Sequence, residues 1–287
     1  MPGRLNSLRI GSIRYINSLP VDWGFSSGQV PFAAEVVRGA PSELNQKILN
    51  GDLEISPVSA FWYARHQSHF FLLPDISISS ESGVQSVLLF SRRPPQELGG
   101  KTIAVTGEGK TTPVLLEILC RKFYGFKPIL KTMTSRFESV PADAEAILLI
   151  GDEALTHREI LKNSGYLVTD MAQEWKRLTG FGFVFAVWAV RKEFFLQNAP
   201  LVYEVYQAIL DSKKWGLCHR REVIDQARWQ TRLPEKELEE YFSCLSHDLT
   251  DSLIQGMSLY FKYALEYALL SKIQPPEWVQ TVGACHG

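Results

Sequence analysis

The side chains best placed to do chemistry here are small, neutral and set where strands end. Asn17 and Ser18 close the stretch RIGSIRYINSLP, Arg9–Pro20. Both donate and accept hydrogen bonds without carrying charge. Pro20 has no amide proton and biases Leu19 away from helix, so a strand through Leu8–Ile13 ends near it and opens into a loop. That edge of an open α/β sheet is where ligands bind. The plainer role for Asn17 and Ser18 is to satisfy the backbone of the turn. Further along, Ser56 ends the strand-like run Leu53–Val58, and Ser86 begins the run Ser86–Ser91. Gly151 and Asp152 follow the apolar run Ala146–Ile150, where an aspartate most simply caps the next helix.

The segment GEGKTT, Gly107–Thr112, invites a phosphate-loop reading, but that motif needs a glycine where Ala104 stands. What survives is a helix start. Thr112 is expected as the N-cap and Pro113 at the first helical position, with free amides and the Thr111 and Thr112 hydroxyls suited to an anion. None of the six histidines shows metal spacing such as HExxH, no GxSxG elbow is present, and no GxGxxG follows a strand. No metal and no cofactor is expected. An anionic small molecule suits such a donor set.

The chain has 287 residues, 45% apolar and 21% charged, with a formal net charge of -1. That charge gives no global field to favour nucleic acid or an anionic membrane. No apolar run reaches the ~18 residues of a membrane span. The opening MPGRLNSLRIGSIRY lacks an apolar core and a small-residue cleavage site, so no secretory signal is expected. Cys120, Cys218, Cys244 and Cys285 are scattered, without a CxxC pair, which favours a reducing, cytoplasmic setting.

These residues need a scaffold that gathers strand tips. Strands expected at Arg9–Ile13, Phe32–Val37 and Leu53–Val58 alternate with helical patterns, implying a mostly parallel sheet. A second series follows, with strands at Thr102–Val105, Pro128–Lys131 and Ala146–Ile150 and a helix at Pro113–Tyr124. The run FGFVFAVWAV, Phe181–Val190, is long enough to return between lobes. Helices are expected at Leu201–Leu217, Arg221–Arg228, Pro234–Phe242 and Asp248–Tyr267, the last with a core stripe of Leu249, Leu253, Met257, Tyr260, Phe261, Ala264 and Leu265. The expected division is residues 1–90 plus 190–287 as one lobe and 91–189 as the other, with a ligand cleft between.

Several segments resemble the chorismate dehydratases of the futalosine route to menaquinone. They are RYINSLP (Arg14–Pro20), GDLEISPVSAF (Gly51–Phe61), the Ser86 strand, GKTTPVLLEIL (Gly109–Leu119), LIGDEAL (Leu149–Leu155) and TGFGFVFAVWA (Thr179–Ala189). The resemblance implies an α/β, two-lobed fold of the periplasmic-binding-protein type II kind. It implies a lyase that turns chorismate into 3-[(1-carboxyvinyl)oxy]benzoate and water. Asn17 would be the catalytic residue, with Ser18, Ser56, Ser59, Ser86, Thr111, Thr112, Gly151 and Asp152 binding substrate. One departure is Lys110 with Thr112 and Pro113, where the family often has Arg followed by Thr-Ser. The alternatives are a non-enzymatic solute-binding protein on the same fold, the sister dihydroxynaphthoate synthase, whose Asn-Asp-Thr-Phe motif is absent here, and a regulator's ligand-sensing domain, for which no helix-turn-helix precedes the lobes. The sequence leaves the oligomeric state open.

Overall fold

The computed structural model describes residues 8–32, 34–133 and 140–280, so Cys285 and His286 fall outside the described residues. In chain order the strands are β1 (Arg9–Ile13), β2 (Glu35–Gly39), β3 (Ile55–Ser59), β4 (Phe70–Ser80), β5 (Val87–Ser91), β6 (Thr102–Val105), β7 (Ile129–Thr132), β8 (Ala144–Ile150), β9 (Leu167–Asp170) and β10 (Phe183–Arg191). The helices are α1 (Leu19–Ser26), α2 (Pro41–Asn50), α3 (Ala60–His66), α4 (Thr111–Lys122), α5 (Gly151–Asn163), α6 (Met171–Thr179), α7 (Lys192–Cys218), α8 (Arg220–Thr231), α9 (Glu235–Cys244) and α10 (Asp251–Glu266).

The strands form two five-stranded sheets with one topology, β2-β1-β3-β10-β4 and β7-β6-β8-β5-β9. In each, three strands lie parallel: β2, β1 and β3 in the first, β7, β6 and β8 in the second. The sheets are mixed rather than mostly parallel. β10 runs antiparallel to β3 and β4, and β5 antiparallel to β8 and β9. These antiparallel strands arrive from the other lobe, so no helical crossover sets their direction.

The boundaries expected at 90/91 and 189/190 both fall inside strands. β5 pairs along its whole length within the second sheet, and β10 within the first. The chain passes between sheets at residues 81–86 and 180–182, and the passages sit side by side because Ser80 pairs with Phe183. An apolar run does not say which sheet takes it. The polar and glycine residues before each run mark the crossings: Glu81-Ser82-Gly83 and Gly180-Phe181-Gly182, where Gly180 has φ +81°.

The turn after β1 is a 3-10 turn, Ile16–Ser18, leading directly into α1 rather than into an open loop. Pro20 sits in the first turn of α1, where its missing N–H costs nothing. β9 and α6 were not foreseen; Asp170 caps α6 by accepting from the amides of Ala172 and Gln173. On α10 the stripe Leu253, Met257, Tyr260, Phe261 and Ala264 is buried, but Leu265 is exposed. The α8–α9 hairpin packs Val223, Ile224, Leu238 and Tyr241 against Ile16 and Leu19 of one lobe and Leu155 of the other.

Helix α7 holds α1, and thereby the Asn17 turn, through close backbone approach. A Cβ on Gly216 would lie 2.2 Å from the Pro20 carbonyl oxygen. Alanine gains at most ~1 kcal/mol of helix propensity over glycine. Overpacking a tight interface costs about 1–3 kcal/mol. Gly216→Ala is therefore expected to lower the urea unfolding midpoint; an unchanged or higher midpoint would contradict the tight α1–α7 contact.

Candidate functional site

A pocket of about 660 Å³, mouth included, lies between the sheets. Its walls come from the C-terminal ends of β1, β3, β6 and β8 and from the helix starts that follow them. The polar lining is Asn17, Ser59, Ser86, Thr111 and Thr112, with Gly151 at one side. Phe185, Ile78, Ile13 and Val84 supply an apolar surface for a flat ring. A larger, outer pocket contains Arg14, Asp152, His157 and Gln230, and Tyr15 and Glu108 line both pockets.

Asn17 stands on the 3-10 turn. Its Oδ1 is buried and without a hydrogen-bond partner. An unpaired buried acceptor costs about 1–3 kcal/mol, so this atom is poised for a ligand donor. His247, absent from the expected site, fixes the turn from behind: its Nε2 donates to the Asn17 carbonyl at 2.7 Å. Burial pushes the His247 pKa down to about 4, so the ring is neutral near pH 7.

Ser59 lies at the tip of β3. Its hydroxyl accepts from Asn45 Nδ2 at 3.2 Å, and its amide donates to Asn45 Oδ1 at 3.3 Å. Ser86 ends the first crossing, which Asp170 pins by accepting from the amides of Val84 and Gln85 at 2.8 and 2.6 Å. Tyr241 donates to Ser86 Oγ at 3.2 Å. Thr111 belongs to the second lobe, yet its Oγ1 accepts from the Phe61 amide of the first at 3.0 Å. Tyr260 donates to the Thr111 carbonyl at 2.9 Å. The N-cap of α4 is Lys110, not Thr112, so Thr112 and Pro113 occupy the second and third helical positions. Lys110 itself is exposed. Gly151 has φ +61°, and a Cβ there would sit 3.1 Å from the Tyr15 ring, so both backbone and space require glycine.

Three expected binding residues face elsewhere. Ser18 Oγ donates to the carbonyl of Ile13 at 2.6 Å and lies 3.1 Å from that of Tyr15, closing its own turn. Ser56 Oγ packs on Gly11, where an added Cβ would meet it at 2.1 Å, and donates to the Pro57 carbonyl. Asp152 points into the outer pocket. Its Oδ1 accepts from the Ile16 amide at 3.1 Å and its Oδ2 from Gln230 Nε2 at 3.2 Å. Burial raises its pKa to about 6, against the lowering effect of those two donors. The residues not foreseen are Tyr15, Glu108, Tyr241 and His247. Glu108 lies in the GEGKTT segment and takes an ion pair from Arg14 across the cleft at 2.7 Å.

A family model described as menaquinone biosynthesis matches residues 8–266. The chain belongs to that family. A chorismate dehydratase of Thermus thermophilus is 32% identical over 203 residues, 66% of this chain and 72% of the relative. Among solved structures, a protein of Archaeoglobus fulgidus superposes with a TM-score of 0.73 at 18% identity, covering 93% of this chain and all of that one. The periplasmic aliphatic sulphonate binding protein of Escherichia coli superposes at 0.64 and 13% identity, covering 96% and 94%. The fold of this family member is accordingly that of the two-lobed periplasmic binding proteins. Among the described residues, no helix is long and apolar enough to cross a membrane.

The Asn17 turn also rests on a buried carboxyl. Asp22 accepts from Ser12 Oγ at 2.5 Å, and burial raises its pKa to about 6, partly offset by the neighbouring hydroxyls. A carboxyl raised on folding contributes most stability below its unfolded value near 3.8 and loses it as pH rises through about 6. About two pH units correspond to roughly 2–3 kcal/mol. Asp22→Asn removes this dependence. Its stability relative to the parent should improve by that order between pH 4 and pH 7.5 in urea titrations, and parallel curves would show that Asp22 is already ionised in the folded state at low pH.

Proposed function

We propose that this chain is a chorismate dehydratase that converts chorismate to 3-[(1-carboxyvinyl)oxy]benzoate and water. Family membership and the chorismate dehydratase relative support it. The carrying observation is the unpaired, buried Oδ1 of Asn17 in a largely apolar pocket that also presents the hydroxyls of Ser59, Ser86, Thr111 and Thr112. The chorismate dianion has two carboxylates, which only accept, and one hydroxyl, its sole O–H donor. That hydroxyl satisfies Asn17, while Ser86, Thr111 and Thr112 hold the ring carboxylate.

The reaction breaks the C–H bond at the ring carbon bearing the enolpyruvyl ether and the C–O bond of the neighbouring hydroxyl. A base takes the proton, the electron pair from C–H passes into the ring π-system, the hydroxyl leaves and receives a proton back from that base as water, and the ring becomes aromatic. A general base must come within about 2.6–3.2 Å of the proton. Asp152 has both carboxylate oxygens engaged on the far side of the turn. His247 spends its Nε2 proton on the Asn17 carbonyl and does not line the pocket. Glu108 lines it but is engaged by Arg14. The enolpyruvyl carboxylate of the substrate lies beside the proton within the same molecule, and we assign it as the base. The pocket's task is to fold that group over the proton, and positioning of this kind is worth several kcal/mol. Hydroxyl donors on the ring carboxylate stabilise charge that spreads there as the proton leaves.

We place the reaction in the futalosine route to menaquinone and in the cytoplasm, where the free thiols of Cys120, Cys218 and Cys244 would persist. The Thr111 hydroxyl has a second duty toward Phe61, so Thr111→Val strands a buried amide and weakens the fold as well as binding. Thr111→Ser keeps the hydroxyl and both contacts, and should bind the ligand about as the parent does.

Incubation with chorismate should abolish its diene absorbance; a thermal shift without that loss marks a binder instead. Asn17→Ala should lower turnover at least ~100-fold, the scale of lost positioning, with little loss of stability. Asp152→Asn and Glu108→Gln should each retain measurable elimination. If either abolishes turnover while still binding chorismate, that carboxylate is the base and substrate assistance is wrong.

A further inference from the structure

Three of the pocket hydroxyls share a feature. Each of Thr111, Ser59 and Ser86 already accepts a hydrogen bond from a protein donor behind it. For Thr111 the donor is the Phe61 amide, so the direction is fixed. For Ser59 it is Asn45 Nδ2, and the orientation of that amide is fixed because Asn45 Oδ1 accepts from the Ser59 amide. For Ser86 the partner is the Tyr241 hydroxyl at 3.2 Å. Tyr241 is 1% exposed and packed among Ile16, Leu19, Val223 and Leu238, so its proton would be stranded in apolar surroundings if it did not point at Ser86. Tyr241 therefore donates, and Ser86 accepts.

A hydroxyl has one proton. With its oxygen engaged from behind, each of these three keeps that proton for the pocket. We propose that Tyr241 and Asn45 are positioning residues that commit the Ser86 and Ser59 hydroxyls to donate into the pocket, making it selective for a carboxylate-bearing ligand. The inference rests on the dehydratase reading of this site and deepens it by naming what sets the direction of the anion contacts. A hydroxyl that accepts while it donates is also the stronger donor. Tyr241 reaches Ser86 from α9, which gives the C-terminal helical hairpin a part in substrate recognition.

The test is a double-mutant cycle in the full-length protein. The parent, Tyr241→Phe, Ser86→Ala and the double variant are titrated calorimetrically with 3-[(1-carboxyvinyl)oxy]benzoate, which binds without reacting. Melting temperature is recorded for each, and chorismate turnover is assayed in parallel. Tyr241→Phe should weaken binding roughly 3- to 10-fold, the scale of one neutral hydrogen bond, with an unchanged melting temperature. In the Ser86→Ala background the same change should have no further effect. Equal losses in both backgrounds mean that Tyr241 acts by packing, and overturn the proposal. So does a Tyr241→Phe variant that binds as tightly as the parent, or a parent that does not bind the dicarboxylate. The outcomes separate from the fate of the dehydratase reading. A parent that binds the dicarboxylate with the expected cycle but leaves chorismate unchanged upholds the positioning role and rejects the enzyme. As a second arm, Asn45→Ala should weaken dicarboxylate binding in the parent and not in Ser59→Ala. Additive losses there overturn the role of Asn45.

Discussion

The pocket exists because amides at helix starts in one lobe are capped by side chains from the other. The first amides of a helix lack intrahelical partners and need an acceptor or water. At the start of α3 the Phe61 amide finds Thr111 Oγ1, and at the 3-10 turn the Ile16 amide finds Asp152 Oδ1. Both acceptors stand at the first turns of helices in the second lobe, α4 and α5. Closing the cleft thus exchanges water for protein at these amides. The exchange is worth only about 0.5–1.5 kcal/mol net at the neutral Thr111 hydroxyl and roughly 1.5–3 kcal/mol at the Asp152 carboxylate. Such a clasp holds shape without locking it. The lobes are joined by two short passages lying side by side, a connection that suits hinge motion about a ligand. The α8–α9 hairpin adds an apolar strap over the same seam, touching Ile16 and Leu19 on one side and Leu155 on the other.

This arrangement explains what the amino-acid sequence revealed about the site and what it concealed. Asn17, Ser86 and Gly151 were legible because each follows or precedes an apolar run at a strand tip, and such tips converge in open α/β sheets; Thr111 and Thr112 were legible from the helix start they mark, and Ser59 from the family resemblance. Side-chain direction was not legible. Ser56 and Ser59 are three apart on one strand, so they face opposite sides of the sheet, and Ser56 goes to the contact with Gly11. Gly151 and Asp152 are adjacent, and the helix start turns one to the inner pocket and the other to the outer. Ser18 competes for backbone acceptors within its own turn and finds them. Tyr241 and His247 were beyond reach for a different reason. Each acts over more than 150 residues of chain, on Ser86 and Asn17 respectively, and no local pattern encodes that distance.

The fold shows the same division. The repeated strand–helix alternation announced two α/β units. The exchange of β5 and β10 between them did not show, because both are fully apolar runs that either sheet would accept. Their placement is decided by the sharp crossings before them. Asp170 holds one, through two amides. At the other, a Cβ on Gly182 would lie 2.7 Å from the Ser80 carbonyl oxygen. The first crossing delivers Ser86 to the pocket, so the choice of sheet and the placement of a site residue are one event.

The charge of the pocket carries the argument to the chemistry. Among the described residues, its single charged lining side chain is Glu108, already paired with Arg14 at the mouth. Among these residues, a dianionic substrate therefore meets hydroxyl protons and helix starts rather than a cation. That costs affinity, since a guanidinium would bind a carboxylate more tightly. It has a compensating effect on reactivity. A cation within about 4–6 Å lowers the pKa of a carboxylate, whereas burial beside apolar groups raises it. Phe185, Ile78 and Val84 supply such surroundings. The enolpyruvyl carboxylate, set against that apolar surface and away from the hydroxyls that hold its ring counterpart, remains basic enough to take a proton from carbon, which one clamped by arginine would not. On the proposed reading, the neutrality that makes the site inconspicuous in the sequence is what lets the substrate serve as its own base.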